Sequence, residues 1–316
     1  MTLLGMSPGD DYVVCELGSN SPGEIAQLSK MVRPSVAVIT SIGESHLESF
    51  RTLERVAAEK ASVLEGLTEP SLAVVWADSD LLARAVRSYG KRAVSFGTGN
   101  GADLRITGYE PAAGKQNFQL NGRHWVRLPL PGRHNALNAM AAIAVAQRYG
   151  FEQGEAAEAL ADFKPPEMRL ERVEAGKVTI LNDAYNSNPA SLLAAVDVLA
   201  ETPAKRRVLV AGDMLELGER AEELHARCGR EIAEKGVDLV VGVGVLGGEI
   251  ASAAADKGAE IARFDSVEAA GAKLVRMLKA GDVVLIKGSR AVQMERLVEP
   301  IREAFTRKRG SRKRKT

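Results

Sequence analysis

Ligands of parallel-sheet proteins meet the carboxyl ends of the strands, and along this chain polar residues gather where such ends are expected. Glu16 closes an apolar run in Cys15-Glu16-Leu17-Gly18, and His46 follows the next run in Gly43-Glu44-Ser45-His46-Leu47-Glu48. A carboxylate and a neutral imidazole from neighbouring strand ends make a corner for a divalent ion such as Mg2+ or Mn2+. Taken singly, each is more often a cap or a surface residue. Lys60, in Ala57-Ala58-Glu59-Lys60-Ala61, is either a solvated helix lysine or one turned back toward that corner. Gly132-Arg133-His134-Asn135 opens a helix with Asn135 as the expected N-cap. Asn138 then sits one turn inside, a poor place for asparagine on structural grounds alone.

The second half repeats the pattern. Arg169 follows a linker, and Asn182-Asp183-Ala184-Tyr185-Asn186-Ser187-Asn188-Pro189 ends a strand. Asparagine and aspartate serve turns, and Asn188-Pro189 can simply start a helix, but the run is longer than a turn needs. Gly212-Asp213-Met214-Leu215-Glu216-Leu217-Gly218 and Lys287-Gly288-Ser289-Arg290 end further strands. Lys287 and Arg290 suit carboxylate or phosphate groups. Gly242-Val243-Gly244-Val245-Leu246-Gly247 matches the dinucleotide fingerprint, with Asp265 near its acidic position, but it follows the third strand of its domain rather than the first. It carries the alternative reading, an NAD(P)-binding oxidoreductase built on Gly242, Gly244 and Gly247. No G-x-x-x-x-G-K-[ST] phosphate loop and no G-x-S-x-G nucleophile turn occurs in the chain.

The elements that position these residues follow from hydrophobic period. Strands are predicted over residues 12–17, 36–40 and 72–76, alternating with helices over 23–31, 53–67 and 80–89. Residues 93–129 read as a small antiparallel insertion, and helices resume over 135–149 and 152–162. Lys164-Pro165-Pro166 stops regular structure. Beyond it, strands are predicted over 178–182, 207–212, 239–243, 260–264 and 283–287. The matching helices are 189–200, 221–235, 247–256, 266–277 and 290–305. Strands apolar on both faces, alternating with helices, imply parallel sheets covered on both sides. The division is therefore 1–166, 167–305 and a disordered basic tail over 306–316.

Composition narrows the classes. The chain has 316 residues and a formal net charge of +1, from 42 Lys plus Arg against 41 Asp plus Glu. Seven of the positive charges crowd into residues 307–316, so the body is mildly acidic and shows no basic face for nucleic acid. Two cysteines make no disulfide framework. No apolar run approaches the roughly 20 residues that span a bilayer, and no signal-peptide pattern opens the chain. A cytoplasmic protein without membrane insertion is expected.

In chain order these segments resemble the Mur ligase family. The similar stretches are Glu16-Leu17-Gly18-Ser19-Asn20 with Pro22-Gly23-Glu24-Ile25, Arg33-Pro34, His46-Leu47-Glu48, Lys60, and Gly132-Arg133-His134-Asn135 with Asn138. Arg169, the 182–189 and 212–218 segments and Lys287-Gly288-Ser289-Arg290 complete the set. The likeness covers nearly all of the chain except the tail. The 185–189 and 212–218 segments favour the branch that adds D-alanyl-D-alanine, and the D-N-P-R motif of the branch that adds the third residue is absent.

The resemblance implies a central ATP-binding domain, here with its N-terminal part missing, and a Rossmann-like C-terminal α/β domain. It implies an ATP-dependent ligase of peptidoglycan precursor synthesis, joining D-alanyl-D-alanine to UDP-N-acetylmuramoyl-tripeptide through an acyl phosphate. Glu16, His46 and a carbamoylated Lys60 would hold Mg2+. Asn138, Arg169, Asp183 and Tyr185 would contact ATP, and Asn186, Asn188, Lys287, Ser289 and Arg290 would face the substrate. Family members carry a UDP-sugar domain and a phosphate loop ahead of the part that matches Met1. The chain alone is therefore expected to have negligible ligase activity and to expose an apolar surface. It reads first as a fragment or mis-started gene product, and otherwise as half of a split enzyme whose missing segment another chain supplies, or as a degenerate binding module.

Overall fold

A computed structural model describes residues 2–306, so the tail predicted to be disordered lies outside the described residues apart from Thr306. Residues 2–109, 118–127 and 134–161 form one compact unit, and residues 110–117, 128–133 and 162–306 form a second. Two short segments from the first half thus group with the second unit, and the division does not fall at a single point in the chain.

The first unit is built on a sheet of order β1-β2-β3-β4-β5-β6. Its strands are β1 (Val36–Ile39), β2 (Leu72–Trp76), β3 (Ala93–Gly97), β4 (Leu104–Ala112), β5 (Lys115–Leu120) and β6 (His124–Leu128). β1 to β4 pair in parallel. β4, β5 and β6 are hydrogen-bonded neighbours joined by very short turns, which only antiparallel strands permit. The insertion therefore begins at β4, and β3, read as part of it, belongs to the parallel sheet. Helices α1 (Glu24–Val32), α2 (Leu47–Phe50), α3 (Leu53–Ala61), α4 (Asp80–Arg87), α5 (Arg133–Arg148) and α6 (Gln153–Ala159) complete this half. Ala37, Ile39, Ala57, Ala61, Leu64, Ala73, Val75 and Leu82 form one of its cores. The oxygens of Thr52 and Ser79 accept from the backbone N–H groups of Arg55 and Leu82 and start α3 and α4.

Three expectations fail here. Residues 12–17 form no strand, and Tyr12 and Val14 are 57% and 88% exposed. An apolar run becomes a strand only against a partner, and the outer edge of β1 pairs with none among the described residues. Leu4, Met6, Tyr12, Val14, Met31 and Val38 are exposed apolar side chains in this unit. Asn135 does not cap α5, which already begins at Arg133. The helix predicted over 53–67 ends at Ala61 and tightens into a short turn, Ser62–Gly66. There Ser62 donates to the Glu59 carbonyl, and Gly66 lies so close to Ser29 that a Cβ would sit 2.2 Å from its carbonyl oxygen.

The second unit carries a sheet of order β11-β10-β9-β12-β8-β7. Its strands are β7 (Glu171–Ala175), β8 (Val178–Asp183), β9 (Arg206–Gly212), β10 (Leu239–Val243), β11 (Glu260–Phe264) and β12 (Asp282–Lys287). All are parallel except β7, which pairs antiparallel with β8 at the edge. β7 was not predicted, because its Glu-Arg-Val-Glu-Ala sequence has only one strongly apolar residue and lies at a half-exposed edge. The helices are α7 (Pro189–Glu201), α8 (Ala221–Glu234), α9 (Val245–Ala255), α10 (Val267–Met277) and α11 (Val298–Thr306). β10 and β12 are buried along their whole length, as strands covered on both faces must be. The helix predicted over 290–305 is broken instead. Gln293 has a left-handed backbone (φ 58°) between two tight turns, Arg290–Val292 and Met294–Leu297, before α11 begins.

Candidate functional site

In the first unit, Lys60 lies half-buried near the end of α3. Burial holds its ammonium below the usual lysine range, and the nearby Glu16 carboxylate offsets part of that shift. Glu16 is exposed, on a segment without regular structure. His46 adopts a left-handed backbone (φ 53°) at the start of α2, which packs on α3. Asn138 is exposed on α5.

Sequence reasoning missed Glu59. Its buried carboxylate accepts the N–H groups of Gly23 (2.7 Å) and Ile25 (2.9 Å) and so closes the amino end of α1. The signal was available. Helix α1 starts at Gly23 without a capping side chain of its own, so its orphan donors must be met from elsewhere.

Among the described residues, no group of three His, Cys, Asp or Glu side chains is placed to hold a metal ion. Glu16 and His46 alone supply too few ligands. A carbamate on Lys60 would add an oxygen ligand, and burial favours the neutral amine that carbamate formation requires. The donor types suit Mg2+ on that condition, and Glu16 and Lys60 lie near each other.

In the second unit, strand register does most of the work. Lys287 and Asp183 are paired positions at the carboxyl ends of β12 and β8. The Lys287 ammonium donates to Asp183 Oδ2 (2.5 Å) and to the Asn186 carbonyl (2.8 Å). The lysine side chain is only 4% exposed. Asp183 Oδ1 accepts the Leu170 N–H (3.0 Å). Both oxygens keep lone pairs for a further donor. The Arg169 guanidinium stacks 4.2 Å from the centre of the exposed Tyr185 ring, so the 168–170 segment and the 182–189 segment meet at one rim. Asn182 donates to Glu171, while its own buried Oδ1 has no partner among the described residues.

The other predicted residues take definite structural places. Asn188 is spent on a reciprocal cap of α7, accepting from Ser191 N–H (2.8 Å) while its own N–H donates to Ser191 Oγ (3.0 Å). Asn186 Oδ1 accepts the Ser187 N–H. Ser289 is buried, its Oγ accepting the Leu215 N–H (2.9 Å) and its N–H donating to the Asp213 carbonyl (3.0 Å). Arg290 is exposed and pairs with Glu295. The ends of β8, β9 and β12 thus bring together Asp183, Tyr185, Asn186, Lys287 and Ser289, with Arg169 and Arg290 at their margin.

The dinucleotide reading fails on geometry. A Cβ on Gly242 would meet the Gly247 carbonyl oxygen at 2.2 Å, and one on Gly247 would meet the Ala211 oxygen at 2.7 Å. Both glycines are there to pack α9 against β9 and β10. The Gly247 N–H, where a pyrophosphate would sit, donates to Asp213 Oδ1 (2.7 Å). The protein's own carboxylate occupies the place of the anion. A cavity of about 760 Å³ opens elsewhere, between Glu69, Tyr89, Lys91, Arg92 and Arg148, and no predicted site residue lines it.

Comparison with known proteins gives the class. Residues 1–146 match the Mur ligase middle domain, and residues 168–290 match the Mur ligase, glutamate ligase domain. The chain belongs to the Mur ligase family. It is 36% identical to the UDP-N-acetylmuramoyl-tripeptide–D-alanyl-D-alanine ligase of Escherichia coli, across 97% of this chain and 68% of that one. It is 32% identical to the Bacillus subtilis enzyme of the same name, across 96% and 67%. Among solved structures, MurF from Acinetobacter baumannii superposes with a TM-score of 0.86 at 32% identity, covering 95% of this chain and 67% of that one. MurF ligase from Thermotoga maritima in complex with ADP gives 0.80 at 28%, covering 90% and 66%. The chain therefore spans about two thirds of the length of these relatives. They are ligases, and nothing in them supports the oxidoreductase alternative.

Proposed function

We propose that this chain carries the nucleotide-binding and amino-acid-adding parts of an ATP-dependent ligase that joins D-alanyl-D-alanine to UDP-N-acetylmuramoyl-tripeptide in peptidoglycan precursor synthesis. The observation that carries this reading is the buried Lys287, held at adjoining strand ends between Asp183 and Asn186, on the same 182–189 segment that carries the Arg169–Tyr185 stack. The named relatives act on these substrates, and one related structure holds ADP. ATP, with Mg2+, supplies the phosphoryl group that turns a carboxylate into an acyl phosphate.

The chain's own residues then have separable tasks. The Tyr185 ring and Arg169 guanidinium offer a flat, cationic surface to a nucleotide, and Asp183 offers acceptors to ribose hydroxyls. Asn138, exposed on α5 of the first unit, is the further ATP contact that the family resemblance implies. Lys287, with Ser289 and Arg290 near it, offers positive charge and donors to the dipeptide carboxylate, and Asn186 and Asn188 shape the loop below. Glu16, His46 and a carbamoylated Lys60 would hold Mg2+, which would offset the negative charge of the phosphates. Developing negative charge is the common problem of every step, and fixed cations answer it.

We place the domains at 1–166 and 167–305, with the short segments 110–117 and 128–133 of the first grouping with the second, and the protein in the cytoplasm. Two cysteines without a disulfide and the absence, among the described residues, of a helix long and apolar enough to cross a membrane are in keeping with that.

The test is thermal unfolding with ATP–Mg2+ or NAD. A ligand that binds only the folded state at 100 times its Kd stabilises it by about 2.7 kcal/mol. ATP–Mg2+ is expected to raise the midpoint, and Arg169→Ala to abolish the rise. A rise with NAD and none with ATP overturns the reading.

A further inference from the structure

Outside the strand ends, one histidine among the described residues is wholly buried and has both ring nitrogens committed. His225, on α8, has no exposed surface. Its Nδ1 lies 2.6 Å from the Ala221 carbonyl oxygen, and its Nε2 lies 2.8 Å from the Met214 N–H. A carbonyl can only accept and an N–H can only donate. Nδ1 therefore carries the proton and Nε2 is the acceptor, a pattern that only the neutral imidazole satisfies.

Met214 lies in the loop that follows β9, between two residues that clamp Ser289. The Asp213 carbonyl accepts the Ser289 N–H, and the Leu215 N–H donates to Ser289 Oγ. Asp213 also ties the same loop to the start of α9 through Gly247. The path from imidazole to strand end is short: His225 fixes Met214, and Met214's two neighbours fix Ser289, two residues beyond Lys287.

We propose that His225 is a positioning residue of the site proposed above, holding the 212–218 loop on Ser289 only while its imidazole is neutral, so that acidification loosens the β12 end. Protonation at Nε2 would set one N–H against another and leave the buried Met214 donor unpaired. The charged groups on the 212–218 loop and on the elements that pack against α8 are Asp213, Glu216, Glu219, Arg220, Glu249, Asp197 and Glu201. Burial holds the His225 imidazole below the usual histidine range, while the Ala221 carbonyl, Asp213 and Glu249 offset part of that shift.

This inference extends the ligase reading, yet its test does not depend on ligase activity. The imidazole 15N resonances of the wild-type chain are followed between pH 8 and pH 5, together with amide protection at Met214, Leu215 and Ser289. At neutral pH, Nε2 is expected to show the unprotonated signal and Nδ1 the protonated one. Protection at the three amides should fall about tenfold as the ring titrates, the worth of one buried hydrogen bond. His225→Gln, whose side-chain carbonyl can accept without titrating, should leave protection flat across that range. A proton on Nε2 at neutral pH, a ring that stays neutral throughout the range, or protection that ignores the ring's titration overturns the inference. The wild-type titration decides the matter even where the variant fails to fold. Amides that track the ring in a chain that binds neither ATP nor D-alanyl-D-alanine would leave the latch standing and sink the ligase reading instead.

Discussion

Removing either partner of the Lys287–Asp183 pair should cost far more than a surface ion pair would. The two side chains are 4% and 13% exposed, and the ammonium sits 2.5 Å from the carboxylate. Exposed pairs contribute roughly 0–1 kcal/mol, whereas stranding one buried charge costs about 3–5 kcal/mol. In Lys287→Met, Asp183 keeps the Leu170 N–H as a partner, so the cost falls near the lower bound, about 3 kcal/mol. In Asp183→Asn the buried ammonium keeps only the Asn186 carbonyl and a neutral amide, so about 4 kcal/mol is expected. The double variant holds no stranded charge and should cost less than the sum by at least about 1 kcal/mol. Scanning calorimetry reads this as a midpoint roughly 6–12 °C lower for Lys287→Met, at about 2–4 °C per kcal/mol for a domain of this size. Single variants within about 0.5 kcal/mol of wild type, or a double variant that costs the full sum, would show that the pair is not closed and that the strand-end geometry is wrong.

Further outcomes follow from other contacts. Glu59→Ala leaves the Gly23 and Ile25 N–H groups without their acceptor and should destabilise the first unit by about 2 kcal/mol in urea titration, where a cost near zero would mean α1 starts unaided. Because burial depresses the Lys60 pKa, the folded chain disfavours the ammonium, and stability gains as pH rises through the folded pKa toward about 10.4. Lys60→Met should flatten that rise, and 13C-labelled bicarbonate should give a carbamate signal that disappears in the same variant. Gly242→Ala drives a methyl group into the Gly247 carbonyl and should cost about 1–3 kcal/mol with no change in response to NAD, whose binding by wild type would contradict the packing role.

Much of the fold was legible because apolar runs bounded by turn residues leave few alternatives. β2, β10 and β11 have the predicted limits, and α7, α8 and α10 differ by about a residue. The failures are instructive in the same terms. Residues 12–17 have the composition of a strand but no neighbour beside them, since strand formation is a property of pairs rather than of segments. Residues 290–297 have helical period but are broken by the left-handed Gln293. At the site, sequence reasoning supplied Asp183, Tyr185, Lys287 and Ser289 as strand-end residues. Their partnership was not readable, because it depends on β12 inserting between β8 and β9 so that Lys287 faces Asp183. Glu59 and His225 were passed over because a buried polar residue inside a helix looks, in sequence, like any solvated one. The glycines at 242, 244 and 247 kept an alternative open for the opposite reason, since close packing and phosphate binding ask for the same residue.

The central claim is that nucleotide and dipeptide meet at the ends of β8, β9 and β12. Backbone amide shifts of the chain, recorded while ADP–Mg2+ and then D-alanyl-D-alanine are added, test it most directly. The account predicts that ADP moves Arg169, Asp183 and Tyr185, and that the dipeptide then moves Asn186, Lys287 and Ser289. Shifts centred on Gly242, Gly244 and Gly247, or on Lys91, Arg92 and Arg148, with the β8 and β12 ends unmoved, would contradict it.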